Sequence, residues 1–118
     1  MGDADFDVQG FARDINVILV LSTLRDRAKH GYQIALDVEA ESDGQFRFRH
    51  GTLYPILHRL EEDGFILGDW SSEGGGRRRK VYRLTDAGRR HLTGEVRRIE
   101  QIMGGLLRMV HGPTEAPA

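Results

Sequence analysis

Residues 51–84 constrain this chain more than any other stretch. Leu53, Ile56, Leu57 and Leu60 follow the i, i+3, i+4, i+7 period of a helix with one buried face. Pro55 has to lie within or just after the first turn, where a missing N–H does least harm. Gly64 closes the period as a C-cap, and two strand-like runs follow, Phe65 to Trp70 and Lys80 to Leu84. The loop between them joins Gly74-Gly75-Gly76 to Arg77-Arg78-Arg79-Lys80. A helix that runs straight into a hairpin with a long, basic, glycine-rich tip leaves few folds open.

The flanking pattern narrows them further. Ile15, Val17, Ile18, Leu19, Val20, Leu21 and Leu24 predict a helix that is apolar on nearly every side and therefore central to a core. The preceding residues, 1–14, are polar and acidic apart from Phe6, Val8 and Phe11, and read as an arm or a short helix. Arg25 to His30 is a charged break. Gly31 opens a second helix with Tyr32, Ile34, Ala35 and Val38 at helical spacing, and Ser42-Asp43-Gly44 is a turn signal. Phe46-Arg47-Phe48 alternates as a three-residue strand would.

At the other end, Thr85 suits a helix N-cap, with Asp86 in the first turn. Leu92, Val96, Ile99, Met103, Leu106 and Val110 then form a heptad seam, too long for so small a domain to cover and so expected to meet a partner chain. Gly104-Gly105 interrupts it, at about 1 kcal/mol per glycine. The expected fold class is mainly α with a small β-hairpin, a winged helix-turn-helix plus a long C-terminal dimerisation helix. The expected division is an N-terminal arm or short helix at 1–14, a winged helix-turn-helix domain at 15–84, a dimerisation helix at 85–110 and a disordered tail at 111–118.

Charge points to a polyanion. The chain of 118 residues has a net charge of −1, but the charges are segregated. Residues 1–45 carry an acidic excess, whereas residues 46–59 and 77–98 are strongly basic, so one face can be positive despite the neutral total. There is no cysteine, which excludes disulfides, thiolate metal sites and a cysteine nucleophile. No apolar run approaches the roughly 20 residues of a membrane span, and Asp3, Asp5 and Asp7 stand where a secretion signal would be basic. A cytoplasmic location and no membrane partner are therefore expected. The carboxylates do not converge at any spacing that suits acid–base catalysis, and no serine has a nucleophile-elbow context, so no enzyme is expected. No cofactor is implied. The five histidines do not pair at i, i+3 or i, i+4, so no metal site is assigned; a histidine-plus-carboxylate metal sensor stays open as the weaker alternative.

The face of the third helix opposite its leucines presents Gly51, Tyr54, Pro55, His58, Arg59 and Glu62. Arg49, His50 and Thr52 stand at its start, where free amide groups and cations suit phosphate. Candidate DNA contacts are therefore Arg49, His50, Gly51, Thr52, Tyr54, His58 and Arg59, with Arg77, Arg78, Arg79 and Lys80 from the hairpin on flanking backbone. Tyr32 is a further candidate through its hydroxyl, although its ring serves equally well to close the core. Trp70 is expected to pack beside the hairpin.

The runs His30-Gly31-Tyr32, Gly51-Thr52-Leu53-Tyr54-Pro55 joined to Leu60-Glu61-Glu62-Asp63-Gly64, and Arg79-Lys80-Val81-Tyr82-Arg83-Leu84-Thr85-Asp86-Ala87-Gly88 resemble the PadR family of bacterial transcriptional regulators. The resemblance spans about residues 15–110. It implies a homodimeric winged-helix repressor on an inverted-repeat (palindromic) operator of double-stranded DNA. The recognition helix would be 51–63, the wing 66–84, and the dimer contact the Leu92 to Val110 seam. It also leaves room for a small-molecule effector of unknown identity. The chain departs from the family in Arg49-His50, which precede the Gly-Thr-Leu-Tyr run in place of a small cap and a proline. No aromatic residue follows Tyr82, which disfavours a flat drug held between aromatics at the dimer interface. The alternative from another class is a winged helix that docks on a protein, for which the basic hairpin is an unusual surface.

Overall fold

The computed structural model describes residues 6–71 and 78–112. The element order is α1 (Val8–Thr23), β1 (Lys29–His30), α2 (Gly31–Glu41), α3 (His50–Glu62), β2 (Ile66–Ser71), β3 (Arg79–Leu84) and α4 (Asp86–His111). The strands form an antiparallel sheet in the order β1-β3-β2, with Trp70 opposite Lys80 and Lys29 opposite Tyr82. Helices α1, α2 and α3 enclose the core against this sheet, and α4 leaves it as a long arm. This is the expected winged helix-turn-helix. Among the described residues no helix is long and apolar enough to cross a membrane.

Three local differences from the sequence expectation have physical causes. Helix α1 begins at Val8, upstream of the apolar run, because Asp7 caps it by accepting a hydrogen bond from the Gly10 amide. Its extra turns are closed by a ring contact between Phe6 and Phe11 at 5.1 Å. Phe46-Arg47-Phe48 is not a strand. Phe48 packs against the core and Arg47 pairs with Glu39, while the free edge of β3 is taken by Lys29 and His30 from the supposed break. The tail beyond 112, the loop 72–77 and residues 1–5 lie outside the described residues.

The core brings together Val20, Leu21 and Leu24 of α1, Ile34 and Val38 of α2, and Leu53, Leu57 and Leu60 of α3. Ile66, Tyr82, Leu84 and Leu92 complete it from the strands and α4. All three leucines of α3 are buried, so its opposite face is turned outward by packing rather than by propensity. Pro55 falls in the second turn and leaves the Gly51 carbonyl without its usual helix donor.

The end of α3 is a Schellman motif. Gly64 at φ 81° donates to the Glu61 carbonyl and Phe65 to that of Leu60. The start of α4 locks onto this motif. The Thr85 hydroxyl donates to the Gly64 carbonyl at 2.7 Å and accepts from the Gly88 amide at 3.0 Å. Gly88 lies so close to the Phe65 carbonyl that a Cβ there would collide with it.

Behind β1, Lys29 is 5% exposed and its ammonium lies 2.5 Å from Asp37, which also accepts from the Gln33 amide at 2.8 Å. The Lys29 hydrogen bond holds the Asp37 carboxyl below its ordinary 3.8, with Gln33 adding to the shift and burial opposing it. Asp37→Ala leaves that ammonium buried and unpaired, at an expected cost of about 3 kcal/mol. A carboxylate with a depressed folded pKa stabilises fully above its unfolded value and loses that contribution as pH falls through the folded one. Urea midpoints of wild type and Asp37→Ala should therefore differ at neutral pH and converge progressively below pH 3.8. A gap that persists undiminished in acid would separate the pair from stability.

Candidate nucleic-acid interface

Helix α3 begins without a side-chain cap. Arg49 holds the cap position in extended backbone, and no acidic residue stands in the first turn, so the positive helix end is left open to an anion. Gly51, Thr52, Tyr54, Pro55, His58, Arg59 and Glu62 are all exposed, as the wheel of buried leucines requires. The side chain of His50 and the whole of Arg77 lie outside the described residues.

The structure divides these residues between two flanks. On the wing side, His30, Tyr32, Tyr54, Trp70, Arg78, Arg79, Lys80 and Tyr82 line one cleft of about 480 Å³ between α2, α3 and the sheet. Tyr32 is 61% exposed and is no core residue; Tyr82 fills that place. Gly31 lets Tyr54 lie across the start of α2, since a Cβ there would sit 2.9 Å from the tyrosine ring. Trp70 is not buried packing either. It is 59% exposed, with the Arg78 guanidinium 5.5 Å and the Lys80 ammonium 5.8 Å from its ring centre. Arg59 points to the other flank, where it joins Arg13, Asp14, Asn16, Asp63 and His91 around a second cleft of about 330 Å³.

Acids shadow several of the basic side chains. His58 Nε2 lies 3.2 Å from Glu62, and Arg59 lies 3.7 Å from Asp63, each one helical turn on. Lys80 is more committed. Its ammonium is 2.8 Å from Glu61 Oε1, the side chain is only 28% exposed, and this hydrogen bond raises its pKa above the ordinary lysine value. The sequence groups Lys80 with the three arginines before it, yet its partner stands 19 residues away on α3. No linear spacing marks a contact between a helix and a hairpin, so sequence reasoning does not find Glu61 or Trp70 as site residues. Arg49, Arg78 and Arg79 have no carboxylate partner among the described residues.

The heptad seam of α4 also divides. Leu92 is 6% exposed and belongs to the subunit's own core, so it offers no surface to a partner, and Val96 packs against that core. Ile99 is half-buried, while Met103, Leu106 and Val110 are exposed, joined by Leu107 and Met109, which the heptad does not select. Arg98 pairs with Asp14 and ties the middle of α4 to α1.

The family model for the "Transcriptional regulator PadR-like family" matches residues 20–94, most of the chain, including α2, α3 and the hairpin. The chain belongs to the PadR-like family of transcriptional regulators. Its PadR-like sequence is 37% identical over 83 residues to "Transcriptional regulator Rv3488" of Mycobacterium tuberculosis, across 70% of this chain and 74% of that one. A Clostridium thermocellum transcriptional regulator shares the fold at TM-score 0.76 and 24% identity, covering 86% of this chain and 98% of its own. Bacillus subtilis PadR, solved in complex with operator DNA, matches at TM-score 0.65 and 28% identity, over 70% of this chain and 46% of that one. The family is one of regulators, not of enzymes.

The seating of Tyr54 on Gly31 gives a test of this PadR-like site that needs no ligand. Gly31→Ala should cost about 1 kcal/mol by crowding the ring, and almost nothing in a Tyr54→Ala background. Equal costs in both backgrounds, from urea unfolding of the double-mutant cycle, would show that the two residues do not interact.

Proposed function

We propose that the chain is a homodimeric repressor that grips an inverted-repeat DNA operator with α3 in the major groove and the wing on flanking backbone. The observation that carries this reading is the cleft on which Tyr32, Tyr54, Arg78 and Arg79 converge, with Arg49 at the open N-terminus of α3 lining a second groove that shares Tyr32 and Tyr54 with it. Gly51 and Pro55 leave the start of α3 low enough for close approach, and Thr52 and His58 offer hydrogen bonds to base edges. Glu62 and Asp63 would repel phosphate, so the N-terminal half of α3 enters deepest. Arg78 and Arg79 supply charge and reach, which is what backbone contact needs. The cytoplasm, where the DNA lies, is the proposed place of work.

In this reading residues 15–84 are the DNA-binding unit and 85–110 the dimerisation helix. The exposed Met103, Leu106, Leu107, Met109 and Val110 are too apolar a surface to leave in water, and a second copy is the proposed cover. Two-fold symmetry then sets two half-sites about one helical turn, or a multiple, apart. The Bacillus subtilis relative carries the name negative transcriptional regulator, which favours repression here. An effector would act by binding one spacing of the recognition helices better than the other.

Fluorescence-anisotropy titrations of duplexes at several salt concentrations test the reading. Arg78→Ala with Arg79→Ala should weaken binding to every sequence and flatten the salt slope by about 0.9 for each phosphate no longer neutralised. His58→Ala should instead lower operator-over-random selectivity by about 1 kcal/mol or more. An unchanged slope in the first variant would take the wing out of the mechanism. Leu106→Glu with Val110→Glu should give monomers in sedimentation equilibrium; persistent dimers would place the subunit interface elsewhere.

A further inference from the structure

Lys80 stands in the basic wing and lines the same cleft as Arg78 and Arg79, but its charge is already engaged. Its ammonium meets Glu61 of the recognition helix at 2.8 Å and lies within 6 Å of the ring centres of both Trp70 and Tyr82. Both partners are about three-quarters covered. The pair crosses β2 at Gly68, where a Cβ would strike Lys80 Cε and crowd Glu61 Oε2 and the Tyr82 ring. The only bare backbone position in β2 is thus the one over which the pair passes. A surface ion pair between two mobile chains contributes little, but this one is walled by two aromatic rings and a glycine cut-out.

We propose that Glu61 and Lys80 are a positioning pair, a charge-neutral brace that fixes the wing at one distance from the recognition helix. The inference rests on the DNA-binding reading above and goes beyond it. Lys80 makes no phosphate contact, and its role is to make α3 and the wing a single rigid reader. Selectivity depends on the brace because a base-edge contact from α3 and a backbone contact from the wing must be satisfied together. A wing free to swing keeps its attraction for any duplex and loses the penalty for a wrong one.

The experiment uses the full chain and a duplex that the wild-type protein selects from a short randomised library, with a scrambled duplex as reference. Glu61→Gln should lower selectivity about tenfold and steepen the salt slope by about 0.9 per subunit, because Lys80 is released toward phosphate. Lys80→Met should cost the same selectivity with the wild-type slope. The exchanged pair, Glu61→Lys with Lys80→Glu, should recover most of the selectivity, and this arm holds even if a single variant folds poorly. Two results overturn the proposal. One is a flatter slope in Lys80→Met with selectivity intact, which makes Lys80 a phosphate contact. The other is an exchanged pair that melts like wild type yet stays unselective. A wild-type protein that enriches no sequence would instead overturn the DNA-binding reading itself, and the brace with it.

Discussion

Everything functional in this chain hangs on a small joint where α3 ends, the hairpin begins and α4 starts. The Thr85 hydroxyl bridges the Gly64 carbonyl and the Gly88 amide. The Thr85 amide donates to the Phe65 carbonyl at 3.2 Å, and the Phe65 ring stacks on His91 of α4 at 4.2 Å, almost parallel. Glycine at position 88 is required because the Phe65 carbonyl occupies the space of a side chain. One threonine thus satisfies the cap of α4 and an orphan carbonyl beyond α3 together. The direction in which α4 leaves the domain is set where α3 stops.

The charge on the outward face is more selective than the basic composition of the wing implies. His58, Arg59 and Lys80 each carry an acid partner on or across from α3. What remains for phosphate among the described residues is Arg49 at the helix start, with Arg78 and Arg79 on the wing. These are the positions from which a side chain reaches a backbone without entering the groove. The acids at the C-terminal end of α3 act as a boundary, since a phosphate that approaches there meets Glu62 and Asp63 rather than a cation. In the proposed DNA complex, electrostatics would therefore orient the helix as well as attract the duplex.

Local signals in the sequence are legible and non-local ones are not. The leucine period of α3, the Gly64 stop and the Thr85 cap are decided within a few residues, and each stands where the sequence places it. Strand β1 cannot be read, because two residues become a strand only beside the waiting edge of β3. The same limit explains Lys80, whose neighbours in sequence are arginines and whose neighbour in space is Glu61. It also explains Leu92. A heptad names the face that is apolar, not whether the subunit's own core or another chain covers it. The exposed Trp70 shows the converse, a large ring kept at the surface by cations that stack on it.

The joint and the brace together restrict where control of this regulator can enter. If the wing is fixed to α3 and α3 to the base of α4, the reader has no internal freedom that an effector could use. The remaining freedom lies along α4, whose 26 residues make an arm of about 39 Å. In the proposed dimer, a tilt of about 5° at the far contact displaces the reader by about 3 Å over that arm. A shift of that size is comparable to one base-pair step, enough to put two rigid readers out of register with their half-sites. A loosely held wing would absorb such a shift by re-seating its arginines, and the change would not reach the DNA. In the proposed dimer, rigidity in the reader is therefore what would make a small movement at the dimer contact legible on DNA. Gly104 and Gly105, in the outer half of the arm, then lie where a helix is easiest to bend.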